Sequence, residues 1–364
     1  MHTMQRKLMI STLILGSFLF LGAGCLSVGD TGAVETTGPA GMFTSTDTGE
    51  TWKSSSIFPT PEGVKSLQSV SVFDFIDDPK DKNTFYWASR GNGLFYSTDA
   101  GASWNRSPAP LNKGFIYSVA IHPEDHCTLY VTTGKQVFRS TDCVRSWSEI
   151  YRETSTDSVR SLAINPFSPY EIMMVKGKGD ILMSNDAGVS WQVLARMRRT
   201  ALVNVFADPN TQGRWYVASR EKGLFRSDDS GQTWTDLSKP LKKFAGAINF
   251  RDMLVYPSKE GVLYWVSTYG ILRSEDAGET WVPFELITPP GSGRIYGFAV
   301  NKLNEKEIYY TATIGARSTF YKSIDAGKNW ITKKLPSAQV PTAIRIDPEK
   351  GETLYLGFTI PPKQ

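Results

Sequence analysis

The sequence predicts an all-β chain closed into a single seven-bladed β-propeller, and three observations carry that prediction. One motif, Ser-x-Asp-x-Gly-x-(Thr/Ser)-Trp, recurs seven times with local departures, starting at Ser45, Ser97, Ser140, Ser184, Ser227, Ser274 and Ser323. The intervals run from 43 to 52 residues, the span of one four-stranded blade. Between copies the same order of short alternating strands repeats, with no amphipathic helix of useful length. The two ends of the array also complete each other, each supplying half a blade.

Taken in order, residues 1–24 read as a lipoprotein-type signal peptide. Arg6 and Lys7 precede an uncharged apolar stretch from Leu8 to Ala23, and small residues lead to Cys25. Leu21-Gly22-Ala23-Gly24-Cys25 resembles a bacterial lipobox, with Cys25 the lipidated residue, although Gly22 stands where Leu is usual. An uncleaved anchor and ordinary secretion are the alternatives. All three put the propeller outside the cytoplasm, in or beyond a bacterial cell envelope. Residues 25–40 read as a flexible tether, residues 41–360 as the propeller and 361–364 as a tail.

The first propeller pieces are a third (C) strand, Gly41 to Ser45, and a fourth (D) strand, Trp52 to Ser55. One complete repeat then reads Tyr117 to Pro123, Thr128 to Thr133, Gln136 to Ser140 and Ser146 to Ile150 as strands A to D. The next reads Ser161 to Pro166, Glu171 to Val175, Ile181 to Ser184 and Trp191 to Leu194. The chain finishes with an A strand, Thr342 to Pro348, and a B strand, Thr353 to Phe358. Joining these to the first two strands makes a composite seventh blade, which leaves only short edges.

The motif makes sense as turn chemistry. Its Asp accepts hydrogen bonds from backbone N–H groups farther on, its Gly supplies positive φ, and its Trp anchors the hairpin between sheets. Asp47, Asp99, Asp142, Asp186, Asp229, Asp276 and Asp325 are therefore read as structural, since seven equally spaced catalytic copies would have no chemical purpose. The third copy departs: Cys143-Val144 replaces the small residue and the Gly. A β-branched residue at positive φ is an outlier, so that turn is expected to be reshaped. Cys127 and Cys143 flank a hairpin centred near Lys135 and would lie on neighbouring strands, which makes a disulfide plausible in an oxidising compartment; two unpaired thiols are the alternative.

These repeats resemble Asp boxes, found in sialidases, sortilin-type receptors, xyloglucan-degrading propellers, and photosystem II stability/assembly factors and their bacterial relatives. The resemblance spans about residues 41 to 360 and implies the fold; it does not choose a function, because such proteins include both enzymes and binding scaffolds.

Composition excludes little more. Removing the first 25 residues leaves 38 basic against 36 acidic side chains, and no Lys/Arg run marks a nucleic-acid arm. His122 and His126 are the only other histidines after His2. Asn165, Asp208 and Asp347 occupy the place of His122 in other repeats, so it reads as a turn residue, and neither a metal nor a cofactor is expected. A Phe/Tyr-Arg-Ile-Pro signature is absent, and nothing in the sequence marks a facing carboxylate pair.

Drawn onto blades, basic residues gather on the face of the D-to-A connections and B-to-C turns. The reading assigns ligand binding there to Arg90, Arg196, Arg198, Arg199, Arg220, Lys239, Lys242, Lys243 and Arg317. It implies a monomeric, lipid-anchored, noncatalytic scaffold, not an enzyme, that docks an acidic protein, an anionic polysaccharide or a lipid headgroup and no nucleic acid. The alternative is a glycan-binding or glycoside-hydrolase-like propeller, which would show a groove with two facing acids.

Overall fold

A computed structural model describes residues 37–361. The lipobox, Cys25 and most of the tether lie outside the described residues. Seven four-stranded antiparallel sheets make seven blades. Six are continuous in sequence. In the first, Val72–Asp77 pairs with Phe85–Ser89, then Leu94–Ser97 and Asn105–Arg106. The seventh sheet runs Lys53–Ser54, Gly41–Ser45, Leu354–Thr359, Val340–Ile346, so the two ends of the described chain share one sheet. Five register pairs, from Gly41 opposite Phe358 to Ser45 opposite Leu354, hold that junction. Among the described residues no helix is long and apolar enough to cross a membrane.

The core lies in layers between neighbouring sheets. Phe85, Trp87 and Phe95 of the first blade pack with Met42 and Tyr355 of the seventh. Tyr309 and Phe320 of the sixth pack with Leu354 of the seventh. Strands here read as almost fully apolar because both faces are covered: Phe85–Ser89 and Trp215–Ser219 are buried at every position.

The seven turns share one hydrogen-bond pattern. In the fifth, Ser227 Oγ donates to Asp229 Oδ1 at 2.8 Å, and the Gly231 N–H donates to Ser227 Oγ at 2.8 Å. Asp229 also accepts from the Thr233 N–H at 2.8 Å and from Thr233 Oγ1 at 2.6 Å. In the seventh, Asn329 replaces the hydroxyl and donates through Nδ2 to Asp325. These bonds pull the Asp229 carboxyl down to about 2, the Thr233 hydroxyl contributing most.

The third turn corrects an expectation, because it is not reshaped. Ser140, Asp142 and Ser146 keep the same bonds, and Val144 occupies the glycine place with φ +69° while Cys143 has φ +55°. Val144 is buried against Phe138 and Leu129, which offsets the left-handed backbone. A disulfide joins Cys143 to Cys127, whose carbonyl also accepts the Cys143 N–H. His126 lies within 4.8 Å of both sulfurs, but disulfide sulfurs offer a metal no thiolate. His122 does serve its turn, its Nδ1 accepting the Glu124 and Asp125 N–H groups.

Two features lie outside the repeat. The hairpin Ile57–Thr60 with Gly63–Ser66 is inserted between the seventh and first blades, and Phe58 packs edge-on to Phe95. A single helical turn, Ser238–Leu241, follows the fourth blade, with Leu241 buried.

Candidate functional site

The innermost strand of each blade faces the propeller axis, and in six blades its pairing is interrupted near its start. Register shifts fall between Val72 and Asp74, Val159 and Ser161, Leu202 and Asn204, Phe250 and Asp252, Ile295 and Phe298, and Pro341 and Ala343. Such bulges re-aim side chains. The residue just after the bulge is Asp74, Ser161, Asn204, Asp252 and Ala343 in five of them. Gly297 and, in the second blade, Ser118 hold the equivalent places. Two of seven equivalent positions therefore carry a carboxylate.

Both carboxylates line one axial cavity of about 510 Å3, together with Arg90, Arg160, Arg220 and Arg251 and the aromatics Phe73, Phe115, Tyr117 and Tyr296. Asp74 is exposed to the space of this cavity and Asp252 is half-buried, but the sheets encircling them limit contact with bulk solvent. That enclosure pushes the Asp74 carboxyl up to about 7, against a counteracting bond from the Phe75 N–H at 2.8 Å. It likewise pushes Asp252 up to about 7, with the negative charge of Asp74 adding to the effect. Asp252 thus senses Asp74, whereas the charge that adds to the rise of Asp74 is that of Asp77. Burial also pulls the Arg90 guanidinium down.

Two routes deliver the arginines. Arg160 and Arg251 are the bulged residues of the third and fifth blades. Arg90 and Arg220 follow the second strands of the first and fourth blades, in the matching segments Ala88-Ser89-Arg90 and Ala218-Ser219-Arg220. Guanidinium carbons lie over rings: that of Arg90 is 5.3 Å from the Phe73 centroid, that of Arg160 5.2 Å from Tyr117 and that of Arg251 5.4 Å from Tyr296.

Of the basic residues expected to bind ligand, Arg90 and Arg220 line this cavity; Arg196, Arg198, Arg199, Lys239, Lys242 and Lys243 do not. Arg196 lies 3.7 Å from Asp180, and Arg199 has φ +58° in a tight connection. Lys239 lies in the one-turn helix, with Lys242 capping it. Arg317 borders a separate groove with Lys333 and Lys334. Asp74, Asp252 and Arg251 are candidates that the sequence reading missed.

The family described as "Sortilin, neurotensin receptor 3" matches residues 40–161, less than half of the chain. No curated protein matches it. Among solved structures, the GH74 xyloglucanase from Xanthomonas campestris is similar at a TM-score of 0.64 and 18% identity, covering 80% of this chain and 51% of the enzyme. The Niastella koreensis GH74 enzyme gives 0.61 and 15%, covering 80% and 51%. YCF48 bound to D1 peptide gives 0.59 and 18%, covering 80% of this chain and 94% of that one. These likenesses show the seven-bladed fold. The chain spans about half the length of the two enzymes.

The expectation of a noncatalytic scaffold, and of a protein that is not an enzyme, is corrected here. The glycoside hydrolases score above the YCF48 structure in this comparison, so the architecture gives no ground for setting catalysis aside. The axial cavity also holds the two acids whose absence had argued against it.

Proposed function

We propose that this protein is a glycan-directed propeller with glycoside-hydrolase-like chemistry at Asp74 and Asp252. One observation carries the reading: a position that is Ser, Asn, Gly or Ala in five inner strands is a carboxylate in two, and both line one cavity. Glycosidic cleavage needs one carboxylic acid to protonate the leaving oxygen and one carboxylate on the other side of the reacting carbon. Both carboxyls are pushed up to about 7, chiefly by enclosure, and the charge of Asp74 further disfavours ionisation of Asp252, so one acid can hold its proton while the other is ionised near neutral pH. The first and fifth blades stand nearly opposite in the seven-membered ring, so the two acids enter the cavity from different sides. The likeness to xyloglucanases supports the same substrate class.

The remaining assignments are architectural. The seven Ser-x-Asp turns, six with Gly and one with Val144 in its place, act as Asp boxes that fasten hairpins, and the mixed N- and C-terminal sheet acts as the composite blade that closes the ring. Cys25 carries the lipid that tethers the propeller to an envelope membrane.

The test is release of reducing ends from a panel of soluble polysaccharides by the full chain, with Asp74→Asn and Asp252→Asn alongside. Each substitution should lower the rate by about 10²–10⁴, the usual contribution of a positioned acid or base. Variants that cleave at the parent rate, or a parent that neither binds nor cleaves any glycan, would refute the assignment.

A further inference from the structure

We propose that the axial cavity takes a sugar bearing a carboxylate, a hexuronic acid unit of an anionic glycan, held by Arg90, Arg160, Arg220 and Arg251. The inference rests on the glycan reading above and names its substrate class. Four guanidiniums and two carboxylates line one cavity, so cations are in excess even with both acids ionised. None of these four arginines joins an ion pair within 4.0 Å among the described residues, whereas Arg152, Arg196, Arg214, Arg226, Arg273 and Arg345 each do. Nor do the acids neutralise them. Asp74 and Asp252 instead accept hydrogen bonds from the N–H groups of Phe75 and Met253, each at 2.8 Å.

The arginines are also arranged rather than merely present. Rings lie beneath three of them: Phe73 and Phe115 under Arg90, Tyr117 under Arg160 and Tyr296 under Arg251. A guanidinium positioned by a ring loses less freedom on binding, and its forked N–H donors match a carboxylate with two parallel bonds. Arg251 Nε is shut off from water and has no partner. An anionic ligand would offset the excess positive charge of the four guanidiniums, which neutral hydroxyls would leave uncompensated.

The experiment uses the full chain and titration calorimetry with oligosaccharides of galacturonate, mannuronate and glucuronate, each beside its carboxyl-reduced neutral counterpart. At least one acidic oligomer should bind about tenfold tighter than its reduced form, the scale of a single charge-assisted contact. Added salt should narrow that gap. In Arg90→Gln/Arg160→Gln the gap should shrink to about threefold or less, with the melting temperature of the variant confirming that it is folded. The parent comparison needs no variant, so it decides even if the double substitution does not fold. Neutral forms that bind as well as the acidic ones would overturn this inference and leave the glycan reading standing. A chain that binds no saccharide but captures an acidic peptide would overturn both.

Discussion

Gly327→Ala should destabilise the propeller far more than one methyl group suggests. Gly327 is the glycine of the seventh Ser-Asp-Gly turn and has φ +83°. An added Cβ would lie 2.3 Å from Phe284 Cδ1 and 2.5 Å from Cε1. The ring has little freedom to retreat, since it stacks on Tyr264 at 6.1 Å and meets Trp330 edge-on at 6.5 Å. The left-handed backbone costs about 1–2 kcal/mol for an L-residue, and overpacking adds about 1–3 kcal/mol. Reduced freedom of the unfolded chain returns about 0.4–1 kcal/mol. The net loss is therefore roughly 1–5 kcal/mol, readable as a lower urea midpoint with an unchanged slope. Val144→Gly is the counterpart: relief of a left-handed valine, about 1–2 kcal/mol, opposes the loss of a buried side chain, about 1.5–3 kcal/mol. Its effect should be small. A Gly327→Ala protein within about 0.5 kcal/mol of the parent, the range of ordinary surface changes, would refute this account of the turn.

Two further outcomes follow from the ring and its acids. A chain ending at Val340 loses Leu354–Thr359, the partner of Gly41–Ser45, and should aggregate without a cooperative transition because two sheet edges open; melting like the full chain would refute the closure. Stability should also fall on both sides of a mildly acidic optimum. Asp74 and Asp252 titrate near 7 in the fold and near 3.9 unfolded, so their contribution is present below about 4 and is lost as pH rises through 7. The turn aspartates at about 2, such as Asp186 and Asp229, contribute above about 4 and lose that contribution as pH falls through 2. Asp252→Asn should flatten the alkaline limb of melting temperature against pH, and an unchanged limb would show that the enclosure does not raise this carboxyl.

The ring was legible because its signals are local. A Ser, an Asp four residues before a hydroxyl, and a Gly that needs positive φ identify five of the turns without knowledge of the rest of the chain, and the spacing supplies the two that depart at Val144 and Asn329. Val144 shows the limit: the sequence announces an outlier but not that its side chain finds a buried place beside Phe138. The hairpin from Ile57 to Ser66 is not legible in the sequence because it belongs to no repeat, and it is held by contacts such as that of Phe58 with Phe95.

The acid pair was hidden for a more specific reason. Along a regular strand alternate residues face opposite sides, so Arg251 and Asp252 should point apart, and the same holds for Phe73 and Asp74. The bulge beside each pair breaks that alternation and allows both members to line the axis. A reading that allots loop residues to a rim and strand residues to a core then puts every functional charge in the connections, which is how Arg90 and Arg220 were found and Asp74 and Asp252 were not. Stacking the seven inner strands by sequence would have exposed the anomaly, because Asp, Ser, Ser, Asn, Asp, Gly and Ala occupy one layer. Small or neutral residues fill such a layer without electrostatic cost. Two carboxylates there must instead tolerate enclosure and each other, a cost that packing of the ring does not require and that acid–base chemistry on a bound sugar would use.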